Sequence, residues 1–287
     1  MKITPTCVPC LIKRCLYEAE LVDAAKADDA VLIALDLLSE LYSSDSCSAE
    51  VATVVHREVY NLLGRDPYSE MKASCNQVAT QLLPVAEKYI DDAEDRLTAA
   101  VTCAIVGNVF DFGIAGSIQD PSELNKKFDE LYNDGIQVND IDKIRGYLKK
   151  DAKVLYFTDN CGEVVFDKLL CRELKTLGVH LTIVVKGKPI LTDATMQEAN
   201  ELGLAEVSDE IIDTGAFAVG MDYEKAPEDL LDRLENADLI ISKGMANFEI
   251  FSERDYRPIA YLMRTKCKPV ADALGLGTEL NIAKLIE

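Results

Sequence analysis

The residues able to do chemistry sit in short polar stretches that end apolar runs. In "FTDNCGE" (157–163) a β-prone run gives way to Asp159, Asn160, Gly162 and Glu163 within a few positions. "VVKGKPILTDAT" (184–195) ends another such run with Lys186, Gly187 and Lys188, then Thr192 and Asp193. "LIISKGMANFE" (239–249) supplies Lys243, Gly244, Asn247 and Glu249. Asp159, Asn160 and Asp193 are hard oxygen donors of the kind that suit Mg²⁺ or Mn²⁺. Lys186 and Lys243 are cations able to hold a phosphoryl group. Gly162 and Gly244 let backbone approach a ligand and offer amides to its oxygens. Together these residue types equip a site for phosphoryl transfer or phosphate-ester hydrolysis.

Each feature also has a purely structural reading. An Asp-Asn pair after a strand serves equally as a turn or an N-cap. Glu163 and Asp193 read as first-turn helix acids, and Lys188 and Lys266 as solvated lysines. "GNVFDFG" (107–113) places Asn108 and Asp111 three apart on one helix face, either capping that helix or facing a cleft. "DPYSEMKASCN" (66–76) contains Asp66, Lys72 and Asn76 at helix-compatible spacing. "CVPC" (7–10) is half of a tetrahedral zinc site, but no second such pair exists, and it opens the chain before a helix. Packing cysteines and a metal or redox use of Cys7 and Cys10 both remain open. No P-loop, no properly placed G-x-G-x-x-G and no G-x-S-x-G elbow is present. The two histidines, His56 and His180, fall in helix and strand contexts that do not suggest a Ser-His-Asp triad.

The elements that must position these residues change near residue 150. Upstream, "LIALDLLSELY" (32–42), "AEVATVVHREVYNLLG" (49–64), "SEMKASCNQVATQLLPVAEKYI" (69–90) and "EDRLTAAVTCAIVGNVFDFG" (94–113) repeat apolar residues at helical spacing, with Pro84 marking a kink or boundary. Downstream, strand-like runs are expected at 153–158, 179–185, 210–214, 238–242 and 267–272. Amphipathic helices are expected between them at 163–177, 194–203, 226–235 and 252–264. That alternation is the pattern of βαβ units forming a mostly parallel sheet with helices on both faces. Two parts are expected: a helical domain with its connecting segment over 1–150, and an α/β domain over 151–287 carrying most of the metal and phosphate site. Polar residues 119–150 are read as the surface connection. In such sheets ligands bind outside the carboxyl ends of the strands, where the polar stretches gather.

Composition narrows the partners. Fifty acids against thirty bases give a formal charge of −20, which argues against nucleic acid and anionic membrane. No apolar run reaches the roughly 18 residues that span a bilayer, and the N-terminus shows no signal-peptide core. Nine cysteines, most of them isolated, fit a reducing compartment rather than a disulfide framework. The expectation is a soluble, cytoplasmic protein whose oligomeric state the sequence leaves open.

Taken in order, "FTDNCGEVVFDKLL", "VVKGKPILTDAT", "LIISKGMANFE" and "KPVADALGLGTE" resemble the metal-dependent damage-control phosphatase family, domain of unknown function 89. The opening "CVPC", "DPYSEMKASCN" and "GNVFDFG" resemble its prokaryotic and archaeal branch. The resemblance covers nearly the whole chain. It implies a helical bundle domain packed on a Rossmann-like, three-layer α/β/α domain. It also implies hydrolysis of small phosphate esters such as sugar phosphates or damaged phosphometabolites. The implied metal ligands are Asp159, Asn160 and Asp193, with Mg²⁺ or Mn²⁺ expected and Co²⁺ or Ni²⁺ as substitutes. Asp159 and Lys243 are the expected catalytic residues. Glu163, Asn108, Asp111, Lys186, Asn247 and Glu249 are the expected substrate or phosphate contacts. Thr192 stands where the family often has Asn. The alternatives are a nucleotide-binding enzyme on the same kind of sheet, or a non-enzymatic metal or redox protein using Cys7 and Cys10.

Overall fold

A computed structural model describes residues 1–110 and 124–287. The chain opens with four long helices: α1 (Cys7–Val22), α2 (Ala27–Leu41), α3 (Ser48–Leu63) and α4 (Ser69–Asp92). The apolar stripe of α3, Val51, Val55, Val59 and Leu63, packs with Cys15 and Ala19 of α1 and Ala30, Ala34 and Leu38 of α2. Gly64 then closes α3 in the left-handed conformation, φ 76°, where an L side chain is strained. Of the kink or boundary expected at Pro84, the boundary does not form, since α4 continues through it. A proline removes one backbone hydrogen bond, and the buried row Cys75, Ala79, Leu82, Ala86 and Ile90 offsets that loss.

The helix α5 (Arg96–Val106) follows, and then a 3₁₀ turn over Gly107–Phe110. Neither α4 nor α5 joins the first three helices. Both share one core with α8 (Glu163–Thr176), α9 (Met196–Glu201) and the sheet, running from Cys75 to Leu285.

Among the described residues the sheet has seven strands. They are β1 (Val138–Asn139), β2 (Lys153–Phe157), β3 (His180–Val185), β4 (Glu210–Asp213), β5 (Leu239–Lys243), β6 (Ile259–Arg264) and β7 (Asn281–Ile286). Their spatial order is β1-β7-β6-β5-β2-β3-β4, parallel throughout except that β7 runs antiparallel to β6. Central β2 places Tyr156 opposite both Ile183 and Ile241. Its side chains alternate between two buried faces: Val154 and Tyr156 meet α5 and α8, while Leu155 and Phe157 meet the opposite layer. That second layer contains α10 (Glu228–Glu235), α11 (Gly244–Phe251) and α12 (Lys268–Leu274). The chain is therefore α/β plus all-α: a mostly parallel sheet in three layers, with a helical group packed on it.

The expected C-terminal elements are exchanged. Of residues 267–272, expected as a strand, Cys267 precedes helix α12 and 268–272 belong to it, and β6 forms from the end of the expected helix 252–264. "IAYLMR" is buried on nearly all its positions, so it shows no period-two alternation to distinguish it from a buried helix. Pro269 sits in the first turn of α12, where its missing N–H costs nothing, and Gly275 ends the helix at φ 69°. Residues 119–123 of the expected connection lie outside the described residues. The rest of it forms α6 (Leu124–Asn133), β1 and α7 (Ile141–Arg145), and it joins the sheet edge through the pair Val138 and Ile282. No described helix is long and apolar enough to cross a membrane.

Candidate active site

The strand order reverses between β2 and β5. From β2 the chain steps outward to β3 and β4, then returns to lay β5 and β6 on the other side. The two polar stretches after β2 and β5 therefore face each other across the crevice that such a reversal opens. After β2 the chain turns at Gly162, φ 83°, into α8. The amide of Gly162 is held by Asn76 Oδ1 at 2.6 Å, so α4 fixes this turn from outside. Backbone bonds stitch the turn to the segment after β3: Ala194 N donates to Asp159 O at 2.8 Å, and Cys161 N to Thr192 O at 2.7 Å. Asn160 and Asp193 form a bridge within that seam.

Asp159, Asn160 and Asp193 are thereby gathered from two crossover loops, all three at most 5% exposed. All three line one cavity of about 340 Å³. Gly244, φ 72°, begins α11 directly against Asp159, and a Cβ there would overlap the Asp159 carboxylate. Oxygen-bearing side chains of these three kinds could hold a small, hard divalent cation.

Hydrogen bonds fix their orientation. Asn160 Nδ2 donates to Asp159 Oδ2 at 2.6 Å, and the Thr192 hydroxyl donates to Asn160 Oδ1 at 2.5 Å. Asn108 Nδ2 reaches Asp159 Oδ2 at 3.3 Å and Glu163 Oε2 at 2.6 Å. Behind this row lies Lys243, fully buried, with Nζ 2.6 Å from Glu163 Oε1 and 2.5 Å from Asp167 Oδ1. One ammonium thus faces two buried carboxylates. Burial, followed in size by the opposing pull of Lys243 and the repulsion of Glu163, leaves Asp167 above the usual carboxylate range. Burial works against the charge of Lys243, but Asp167 and Glu163 outweigh it and raise its pKa. On the other side, Lys186 Nζ lies 3.5 Å from Asp193 Oδ2 and donates to Asn247 Oδ1 at 2.8 Å. Asn247 Nδ2 in turn donates to Thr158 O at 2.9 Å, next to Asp159.

The residues singled out from the sequence thus occupy two positions. Asp159, Asn160, Asp193, Asn108 and Glu249 line the cavity. Glu163 and Lys186 stand behind it and touch residues that line it, and Lys243 and Asn247 stand one layer further back, against Glu163 and Lys186. Asp111 lies outside the described residues. Glu249 accepts from the Ser48 hydroxyl at 2.5 Å, and burial pushes its pKa up. Cys7 and Cys10 lie in the first turn of α1 and line the cavity together with Cys267.

Arg14, His56 and Lys266 also line it, although the sequence singled out none of them as a site residue. Lys266 Nζ donates to the carbonyl of Asn108, so it is held rather than solvated. Cys15, Glu18 and His56 each place a potential ligand atom within 4.8 Å of the others. A histidine on the apolar face of α3 and a glutamate on that of α1 were the available signal. Which neighbour either side chain meets depends on how the two helices pack.

The family described as the damage-control phosphatase ARMT1-like domain matches residues 3–282. The chain belongs to this family. Over their full lengths, the chain is 40% identical to a damage-control phosphatase of Archaeoglobus fulgidus, with 100% of each covered. It is 29% identical to a damage-control phosphatase of Pyrococcus horikoshii, covering 96% of this chain and 94% of that one. A crystal structure of a domain of unknown function 89 family protein from Pyrococcus horikoshii superposes with a TM-score of 0.89 at 27% identity, covering 100% of both chains. The resemblance carried by the sequence motifs is thus one of family membership, and the architecture it implied is the one observed.

Proposed function

We propose that the protein is a metal-dependent phosphatase acting on small phosphate esters, sugar phosphates or damaged phosphometabolites among them. The observation that carries this reading is the convergence of Asp159, Asn160 and Asp193, from two separate loops, on one cavity at the reversal of strand order. The names of the Archaeoglobus and Pyrococcus relatives support a phosphatase role.

The donor set fits a divalent ion: two carboxylates and an amide oxygen, buried and steered by neighbouring amides and hydroxyls. Gly244 leaves the room beside Asp159 that any other residue would fill. In this reading Asp159, Asn160 and Asp193 would hold Mg²⁺ or Mn²⁺, with Co²⁺ or Ni²⁺ as substitutes. A divalent ion so held supplies Lewis acidity toward a phosphoryl oxygen. Lys266 and Arg14, in the same cavity wall, offset the remaining charge of the phosphate. Asn108, itself held by Glu163, keeps Asp159 in place, and Lys243 acts through Glu163 as a buried counter-charge. Water attacks phosphorus and the alcohol leaves.

The test is phosphate release from a panel of phosphorylated metabolites, with chelator-stripped protein resupplied with Mg²⁺, Mn²⁺, Co²⁺ or Ni²⁺. Turnover is expected only with metal. Full Mn²⁺-dependent activity in Asp159→Ala would overturn the assignment.

A further inference from the structure

The helical wall of the same cavity carries a buried acid–base pair that the reading above leaves unused. His56, on α3, is 2% exposed, and Glu18, on α1, is fully buried. His56 Nδ1 lies 2.9 Å from Glu18 Oε1 and 3.1 Å from Oε2, and the Tyr68 hydroxyl donates to Oε1 at 3.4 Å. The carboxylate therefore accepts Nδ1–H, which fixes both the ring orientation and the tautomer. The ring nevertheless lines the cavity that holds Asp159, Asn160 and Asp193. Among the described residues no hydrogen bond to its other nitrogen, Nε2, is found. A carboxylate buried this deeply is costly unless paired, and with Nδ1 committed to Glu18 the ring exchanges a proton with the cavity only at Nε2.

We propose that His56 is the general acid of the hydrolysis, giving its Nε2 proton to the leaving oxygen of the ester, with Glu18 as its positioning residue. This rests on the phosphatase reading of the cavity. The sugar of a sugar phosphate departs as an alkoxide, a poor leaving group, and protonation by a positioned side chain contributes about 10²–10⁴-fold. In the step, the oxygen of water forms the new bond to phosphorus and the bond from phosphorus to the alcohol oxygen breaks. The electron pair goes to that oxygen, which takes the Nε2 proton. The imidazole is left neutral and still bonded to Glu18. The proton of the attacking water passes to solvent, and solvent returns one to Nε2. The ionisable groups nearest the pair include Arg14 and Cys15 of α1, Tyr60 of α3 and Tyr68, and the same cavity is also lined by Cys7, Cys10, Asp159, Asp193, Glu249, Lys266 and Cys267.

The same cluster has a competing chemistry, since Cys15, Glu18 and His56 could together ligate a metal. Burial pushes the Cys15 thiol up and keeps it protonated, and the carboxylate of Glu18 is already engaged by the ring. Both favour the proton-donor role.

The experiment compares two substrates on the metal-loaded full chain. One is p-nitrophenyl phosphate, whose leaving group needs no proton, and the other is an alkyl phosphate such as a sugar phosphate. His56→Gln is expected to lower kcat/KM for the alkyl ester by about 10²–10³-fold and for the aryl ester by less than about fivefold. Glu18→Gln should shift both in the same direction by less. Equal losses on both esters, or no loss on either, would overturn the role. If His56→Gln fails to fold, the wild-type rate across a series of aryl and alkyl leaving groups decides. A shallow dependence on leaving-group basicity supports the general acid, and a steep one overturns it. One equivalent of tightly bound metal that is lost in Cys15→Ser would also overturn it, in favour of a metal site. Wild type inactive toward both esters with every metal would instead defeat the phosphatase reading itself.

Discussion

The two walls of the cavity are built in different ways. On the sheet side, Asp159, Asn160, Asp193 and Glu249 come from segments that follow strands, and buried side chains behind them hold them in a closed network. On the helical side, Arg14 and His56 come from the faces of two helices, and the ring of His56 is held by one carboxylate. A strand that ends at the rim of a parallel sheet delivers its next residues to the crevice whatever else happens. A helix delivers only the face that packing selects. The sheet wall should therefore be mechanically stiff and intolerant of change, and the helical wall should be tunable.

Four substitutions test that contrast, and the largest effect belongs to Lys243. Lys243→Met leaves Glu163 and Asp167 buried without their shared cation, and breaking a buried pair costs about 3–5 kcal/mol. The denaturation midpoint should fall accordingly, with a smaller fall for His56→Gln. Equal losses would erase the difference between the walls. Next is Gly244→Ala. Its φ of 72° alone costs about 1–2 kcal/mol for an L residue, and the added Cβ would displace the Asp159 carboxylate. Metal affinity measured by titration calorimetry should drop with it, and unchanged affinity would show that Asp159 is not confined as described.

The smallest effect is at the seam between the walls, where Glu249 of α11 meets Ser48 of α3. Burial raises the Glu249 pKa, so the folded chain holds this proton more tightly than the unfolded chain, whose value lies near 4.5. The side chain's contribution to stability is therefore fully present below about 4.5 and is lost as pH rises through the folded value. Glu249→Gln has no such proton to lose. Its stability relative to wild type should grow with pH above that point, as read by chemical denaturation across a pH series. A difference that stays flat with pH would contradict the assignment.

These contrasts also explain what could be read from the sequence. The strand-end motifs were legible because Asp159, Asn160 and Lys243 directly follow or end β-prone runs, and local order alone puts them at one rim. Asp193 was legible for the same reason, although it lies eight positions beyond the end of β3. The exchange of strand and helix near the C-terminus was not, because β6 is buried on both faces and carries no alternating pattern. Lys266 looked solvated because its partner, the carbonyl of Asn108, comes from a turn 158 residues earlier. His56 looked like an ordinary helical histidine because Glu18 lies on another helix, 38 residues earlier. Such long-range pairings are set by packing, which local periodicity does not encode.

The most direct measurement is Mn²⁺ binding by titration calorimetry to chelator-stripped wild type, Asp159→Asn and Asp193→Asn, with phosphate release followed on the same samples. Wild type should bind the ion and turn over, and both variants should lose affinity and activity together while keeping a cooperative unfolding transition. Undiminished Mn²⁺ affinity and turnover in either variant would contradict the claim that these side chains grip the cation together.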